Sequence, residues 1–594
     1  MTRTSNEIPA SPPLSPAARL LWLVLIVSTL YLCYFHNLGA LGLVGPDEPR
    51  YAWIARDMQE SGDWITPSLY GKPWFEKPPL YYWSAALSFK LFGVSETTAR
   101  LPSAITALLA TLALAWLALR LYGAETARWL LLLLPTTVGM IGFSHAAATD
   151  MPFAAMLTIA MVFAAKLLNL IPSPTQQSGT AATTQDPLSS ITSSTSFTSS
   201  TSFTSFLFGL FLGLATLAKG PAGLILSGGA VLLWALFTKR WRDAFRCLHP
   251  FAIASFCLTA LPWYILCARR NPDFFRVFII EHNFNRFLTP QFQHIQPFWY
   301  YFPILLIAVF PWTILLLTGV YSFFRKSFLE HHLNQSDLFF VCWGLFPLLF
   351  FSISKSKLPG YILPTVSPLG ILLARAASTT HMPLRHTTTI AFFVSGLASG
   401  VVALGLYTSP NLFSLKFPDL QYPLVLLLCA LTFSFLVLAL SSLTQHSSLI
   451  GHLTRALGFG VFLFILSVAT DKKTFDRFGM WNYSARDLSH ALHSSGTTPA
   501  TLRLVGIDRA TSYQLSFYFH SELKEWDGVA NPGEMLIGRL ISCSKLKLNI
   551  GCKDLWENYD KTDEWELLQI SSERSLGGLG GGNTGNKLGD RQPR

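Results

Sequence analysis

Thirteen runs of apolar residues, most of them about as long as a bilayer is thick, leave this chain little freedom in what it can fold into. A helix that rises about 1.5 Å per residue needs about 20 apolar residues to cross a hydrocarbon core about 30 Å thick. Such runs lie near 18–38, 101–119, 129–147, 151–171, 206–219, 221–238, 250–268, 298–324, 337–354, 358–378, 388–408, 421–443 and 453–470. The pair at 206–219 and 221–238 is short in each half and also reads as one span with a re-entrant piece. Composition points the same way. Of 594 residues, 51% are hydrophobic and only 13% charged, against about 25% charged in an ordinary soluble domain. So apolar a chain is neither a string of soluble domains nor a disordered protein. Eight cysteines in this length exclude a disulfide scaffold. The expectation is an all-α polytopic membrane protein of about 13 transmembrane helices.

Lysine and arginine near the span ends set the orientation. With the N-terminal segment 1–17 in the cytoplasm, thirteen spans put Arg120, Arg128, Lys239, Arg240, Arg242, Arg246, Arg325, Lys326, Arg375, Arg385 and Arg455 on that same side. The net charge of +11 then reads as membrane anchoring, and no nucleic-acid partner is expected. The first run lacks a small-residue cleavage site and reads as a retained helix. Outside lie the loops 39–100 and 269–297, a short loop at 409–420, and everything beyond about 471.

Residues 172–205 are rich in Ser, Thr and Pro, with a tandem STSFTS at 194–199 and 200–205. Their single charge and lack of an apolar face predict a disordered cytoplasmic linker inside the 18–470 core. Residues 471–575 predict a small soluble α/β domain on the outer side, with strands at Leu502–Asp508, Tyr513–Phe519 and Met535–Ile541. Cys543 and Cys552 in it are either a disulfide or two free thiols. The Gly-rich 576–594 predicts a frayed tail.

The first outer loop carries the densest chemistry. It contains Asp47-Glu48-Pro49-Arg50-Tyr51 and, about thirty residues on, Phe75-Glu76-Lys77-Pro78, flanked by prolines and aromatics. Aromatics at a membrane surface are often an interfacial belt, and carboxylates at helix ends are often caps. Acids and bases gathered beside lipid are costly, however, and usually mark a site. Trp53, Ile54, Met58, Trp64 and Ile65 read as the interfacial face of amphipathic segments in this loop.

The pattern resembles the GT-C polyprenyl-phosphate-dependent glycosyltransferases, within them the aminoarabinose transferase and protein mannosyltransferase group. Other pieces follow in order over roughly residues 20–380: Asp150-Met151-Pro152, Ala218-Lys219-Gly220-Pro221, Glu281 to Phe287 around His282 and Arg286, and Lys355-Ser356-Lys357-Leu358-Pro359-Gly360-Tyr361. The resemblance implies a GT-C fold and transfer of a sugar from a polyprenyl-phosphate donor, with inversion at the anomeric carbon. The candidate acceptors are lipid A, taking an aminoarabinose, or another envelope molecule, as in a protein mannosyltransferase. It implies a bacterial inner membrane with the site facing the periplasm. A lipid-linked phosphosugar keeps its phosphate at headgroup level, so cations must converge there. Arg50, Lys77, Lys219, Arg286, Lys355 and Lys357 are the candidate phosphate binders, with Tyr361 as a hydroxyl donor. Asp47 is the first candidate base for the acceptor, with Asp150 second and Glu48 beside them. Glu76 and His282 are candidate ligands for a divalent metal ion such as zinc or manganese. Pro49 and the Ser/Thr-rich insert depart from the family pattern.

Three rival readings make different demands. A transporter or flippase predicts midplane ionisable groups and repeats, whereas nearly all acids here lie in loops, and Lys166 can snorkel. An oligosaccharyltransferase predicts a W-W-D-Y-G signature, which the tail's Glu525-Trp526-Asp527-Gly528 does not match. A scaffold needs no ordered acid and base motifs. No P-loop is present, in keeping with a donor already activated on lipid.

Overall fold

The computed structural model describes residues 14–171, 189–288, 295–330, 334–378, 382–408, 421–443, 449–469, 484–529, 531–539, 552–556 and 565–570. It divides into two compact units, Met1–Tyr483 and Ser484–Arg594.

The first unit is a helical bundle. Among the described residues, eight helices are long and apolar enough to cross a membrane, two bent helix pairs pass the same test jointly, and three shorter apolar helices accompany them. The chain is a multi-pass membrane protein. The helix Asp150–Leu167 is the most enclosed, because Ala, Met, Phe and Ile surround its whole circumference and nearly every one is buried. A helix apolar all round belongs inside a bundle. Residues 206–219 and 221–238 lie on two separate helices, Ser189–Lys219 and Ala222–Thr238. Gly220 makes the turn between them at φ +75°, and Gly223 lets the second helix pack against Ala215.

The structure breaks two of the expected spans. The run 298–324 bends by 115° between Phe298–Val309 and Thr313–Tyr321, and the run 129–147 bends by 62° between Ala124–Leu133 and Val138–Ser144. Each break holds a proline, Pro311 and Pro135, which cannot donate the helical hydrogen bond. The breaks satisfy each other: Val138 N–H donates to Phe310 O at 2.8 Å, and Trp312 Nε1 donates to Thr136 Oγ1 at 2.9 Å. Freed backbone groups inside a bilayer require such partners.

The supposed linker is partly helix. Its second half, including the tandem hexamer, forms the start of the helix Ser189–Lys219, while 172–188 lies outside the described residues. Ser and Thr cost a helix only a few tenths of a kcal/mol each, and extending a formed helix adds one hydrogen bond per residue.

The loop 39–100 folds into the helix Asp47–Ser61, a short antiparallel pair β1 (Ser68–Leu69) and β2 (Lys72–Pro73), and the helix Leu80–Phe92. Its apolar residues do not form the expected lipid-facing surface. Ile54 and Met58 are fully buried, Trp53 packs edge-on against Tyr70 at 4.8 Å, and Ile65 packs beside Leu217, Trp263 and Phe274. The carbonyls of Trp64 and Ile65 accept from the indoles of Trp83 and Trp263. Protein contacts thus consume this face.

Among its described residues the second unit holds a five-stranded sheet and two helices, Arg486–Ser494 and Arg509–Phe519. Its strands are β3 (Leu502–Val505), β4 (Lys524–Glu525), β5 (Met535–Arg539), β6 (Cys552–Trp556) and β7 (Trp565–Ile570), in the order β4-β3-β5-β7-β6. β3 runs parallel to β4 and β5, and the other pairs are antiparallel. Leu488, Leu492, Leu502, Leu504, Leu515, Phe519, Ile537 and Leu567 form its core. Residues 513–519, expected as a strand, are helical. The Asp508 side chain accepts from Ala510 N–H and Thr511 N–H, which starts a helix that buries Leu515 and Phe519 four residues apart. Cys543 and the tail beyond 570 lie outside the described residues.

Candidate active site

Residues far apart in sequence meet at one end of the bundle. Helix polarity accounts for one pair. Asp150 opens the enclosed helix and Lys219 closes its neighbour Ser189–Lys219. A carboxylate suits a helix N-terminus and an ammonium a C-terminus. The two ends meet, with Lys219 Nζ 2.5 Å from Asp150 Oδ1. Lys219 also lies over the Tyr361 ring, 4.7 Å from its centroid. Gly360 makes this approach possible, since a Cβ there would lie 2.5 Å from Asp150 Oδ1.

Glu76 is the hub of the second group. Arg50 Nη2 lies 3.1 Å from its Oε2, and Lys77 Nζ and Arg286 Nη1 lie 3.4 and 3.3 Å from its Oε1. Three segments deliver these cations: the helix Asp47–Ser61, the loop before Leu80, and the end of a π-helix, Arg276–Asn285. Irregular π turns recur at functional sites. Arg286 is within hydrogen-bonding reach of Tyr361, which joins the two groups. Burial alone would raise the Glu76 carboxyl, but Lys77, Arg50, Arg286 and His282 reverse this and hold it well below the carboxylate range. Burial pushes the Lys77 ammonium down to about 8, against the opposing pull of Glu76.

Asp47 and Glu48 are neighbours with opposite fates. Asp47 is 53% exposed and pairs with Arg50 Nη2 at 2.5 Å. Glu48 is buried and committed. It takes a two-pronged contact from Arg100, Nε to Oε1 at 3.0 Å and Nη2 to Oε2 at 2.7 Å. It also accepts from Val44 N–H and Ala147 N–H. Arg100 spends its remaining donors on the carbonyls of Leu38, Leu41 and Gly42. Glu48 therefore pins the loop to the bundle and does not fit a catalytic role. No sequence motif points to Arg100; its place one turn into the helix Glu96–Tyr122, next to the loop, is the available signal.

The two lysines of Lys355-Ser356-Lys357 also part. Lys357 is buried and donates to the carbonyls of Ser354 at 2.5 Å and Gln296 at 3.1 Å, so its ammonium holds loops together. Lys355 has an exposed side chain, while its backbone N–H donates to Phe287 O.

The Glu76–His282 pair does not fit a divalent cation. Burial lowers the His282 imidazole pKa and Glu76 pulls it the other way, so the two are near neighbours. Yet both Glu76 oxygens face cations, and among the described residues no group of three or more His, Cys, Asp or Glu is placed to hold a metal.

Aromatics wall the cluster. The Arg50 guanidinium lies over Tyr51 and Trp74, 5.2 and 5.4 Å from the ring centroids. Tyr82 stands edge-on to Tyr51 and Tyr81, near enough to Glu76, Arg50 and Asp47 to feel their charges. Tyr81 gives its hydroxyl to Ala99 O at 2.8 Å, whereas the Tyr82 hydroxyl and the Trp74 indole N–H have no partner among the described residues. Nothing in the sequence separates Tyr81 from Tyr82.

At one end the apolar bundle carries a cation cluster and an exposed carboxylate. Residues 19–278 match the family described as dolichyl-phosphate-mannose-protein mannosyltransferase. Curated relatives include the undecaprenyl phosphate-alpha-4-amino-4-deoxy-L-arabinose arabinosyl transferase of Edwardsiella ictaluri, 33% identical over 59% of this chain and 58% of that protein. A second such transferase, from Sodalis glossinidius, is 34% identical over 60% of this chain and 59% of its own length. The chain thus matches less than two-thirds of the length of these relatives. The fold matches the crystal structure of ArnT from Cupriavidus metallidurans bound to undecaprenyl phosphate, with a TM-score of 0.71 at 22% identity over 94% of this chain and 99% of that one. The chain is thus similar in sequence to these mannosyltransferases and aminoarabinosyl transferases, and its fold is of the GT-C type.

Proposed function

We propose that this protein moves a sugar from a polyprenyl-phosphate donor to an envelope acceptor, and that the sugar is an aminoarabinose delivered to lipid A. The observation that carries this reading is the convergence of Arg50, Lys77 and Arg286 beside an exposed Asp47 at the end of an apolar bundle. The names of its relatives favour the aminoarabinose donor. Lys77, Arg286 and Tyr361 receive the donor's phosphate while its tail stays in lipid. The acceptor oxygen attacks the anomeric carbon from the face opposite the phosphate, a C–O bond forms, and the bond from that carbon to the phosphate oxygen breaks. The configuration inverts. Charge gathers on the departing phosphate, where Lys77 and Arg286 stabilise it. A hydroxyl acceptor gives its proton to Asp47. A lipid A phosphate attacks already ionised, and Asp47 then orients it. Asp150 and Lys219 sit one step away to hold the sugar.

We place the protein in a bacterial inner membrane with this end facing the periplasm. The lysines and arginines at the other helix ends support that orientation by the positive-inside rule. Purified protein in lipid nanodiscs, given undecaprenyl-phosphate aminoarabinose and lipid A, should yield lipid A heavier by one aminopentose unit. Transfer to a protein or another glycan would keep the class and change the acceptor. No product with any polyprenyl-phosphate sugar would refute the reading.

A further inference from the structure

Glu76 raises a question that donor binding alone leaves unanswered. A site built to hold phosphate has a buried carboxylate where the cations point. All three contacts, at 3.1 to 3.4 Å, are longer than the 2.7–2.9 Å usual for charge-assisted hydrogen bonds. Glu48 takes its arginine at 2.7 and 3.0 Å. Three partly buried cations this close repel strongly without an anion among them. A structural ion pair would saturate one partner, as Glu48 does. Glu76 instead is shared among three cations, of which Arg50 also holds Asp47 at 2.5 Å and Arg286 also reaches Tyr361.

We propose that Glu76 is a resident stand-in for the donor's phosphate: it holds Arg50, Lys77 and Arg286 in register until the phosphate takes their contacts, and its charge then helps expel the product. This rests on the donor reading above. The asymmetry comes from charge. The donor's phosphodiester carries one negative charge, and the product's phosphomonoester carries nearly two at neutral pH. A cation trio by itself would hold product more tightly than donor and stall turnover. A fixed carboxylate among the cations repels a double charge about twice as strongly as a single one, so it penalises product more than donor. Glu76 is thus a positioning residue that sets the balance between donor capture and product release.

The test uses the full-length protein in nanodiscs, with undecaprenyl phosphate as the product probe. In Glu76→Gln, product inhibition should strengthen about tenfold or more, as expected for removing one like-charge contact. The donor KM should fall less, and kcat should drop because release slows. Glu76→Asp, which keeps the charge, should inhibit like the wild type. Without ligand, Glu76→Gln should melt below the wild type, and undecaprenyl phosphate should raise its melting temperature by more. If the variant cannot be purified alone, the same lipid added during purification should rescue it. Unchanged or weaker product inhibition in Glu76→Gln, or no rescue, would overturn the proposal. A wild-type protein that does not bind undecaprenyl phosphate would instead overturn the donor reading.

Discussion

Two carboxylates of the loop 39–100, Glu48 and Glu76, sit among arginines at the same end of the bundle and do different work. Glu48 meets one arginine in two short bonds and two backbone N–H groups, and Arg100 fills its remaining donors with carbonyls. Every lone pair and proton has a destination, so the pair behaves as a rivet. Glu76 meets three cations at longer range, beside an exposed Asp47 and a tyrosine hydroxyl without a partner among the described residues. Burial and charge are similar in the two places. Saturation is what separates a structural ion pair from a site.

The rivet should be the costlier to break. Arg100→Ala leaves a buried carboxylate unpaired, which should destabilise the protein by about 3–5 kcal/mol. Thermal unfolding in detergent, or loss of the folded protein on expression, reads this directly. A melting temperature within a degree or two of the wild type would erase the contrast.

Lys77→Ala should spare the fold and cost the donor step. The loss in kcat/KM should be about 100-fold or more, on the order of one transition-state contact to a developing charge. Lys77 also predicts a pH limb. Burial pushes its pKa down to about 8, so the free enzyme carries the ammonium below that pH and loses it above. The kcat/KM for the donor should therefore fall as pH rises through about 8, and Lys77→Arg should move that limb upward. A profile flat to pH 9.5 would remove Lys77 from the phosphate seat.

The tyrosine pair gives the smallest effect. Tyr81→Phe loses a hydrogen bond to Ala99 O and should cost about 1 kcal/mol, whereas Tyr82→Phe removes a buried hydroxyl with no partner among the described residues and should cost nothing or stabilise slightly. Equal losses in melting temperature would mean that the two hydroxyls are equally used.

The bundle was legible because a bilayer allows few solutions: apolar length alone locates the helices. The two bends were not, although Pro135 and Pro311 lie in plain view. A proline says where a helix can break but not that two breaks will supply each other's hydrogen bonds. The run Tyr513–Phe519 misled because short aromatic stretches suit either a strand or a buried helix, and the deciding residue, the cap Asp508, lies just outside the run. At the site, ordered motifs on one face were enough to gather Asp47, Arg50, Glu76, Lys77, Asp150, Lys219, Arg286 and Tyr361. Adjacent like residues were not resolvable. Asp47 and Glu48 start one helix, where a single residue step turns the side chain by about 100°. Lys357 looks like Lys355 until the carbonyls of Ser354 and Gln296 claim it.

In the proposed reaction the Lys77 and Arg286 seat takes the phosphate of a lipid-linked sugar. The decisive measurement is mass spectrometry of products from nanodiscs carrying undecaprenyl-phosphate aminoarabinose and lipid A, with wild type and Lys77→Ala side by side. Lipid A should gain one aminopentose with the wild type, and at least about 100-fold more slowly with the variant. No transfer by the wild type, or full transfer by the variant, would rule this seat out.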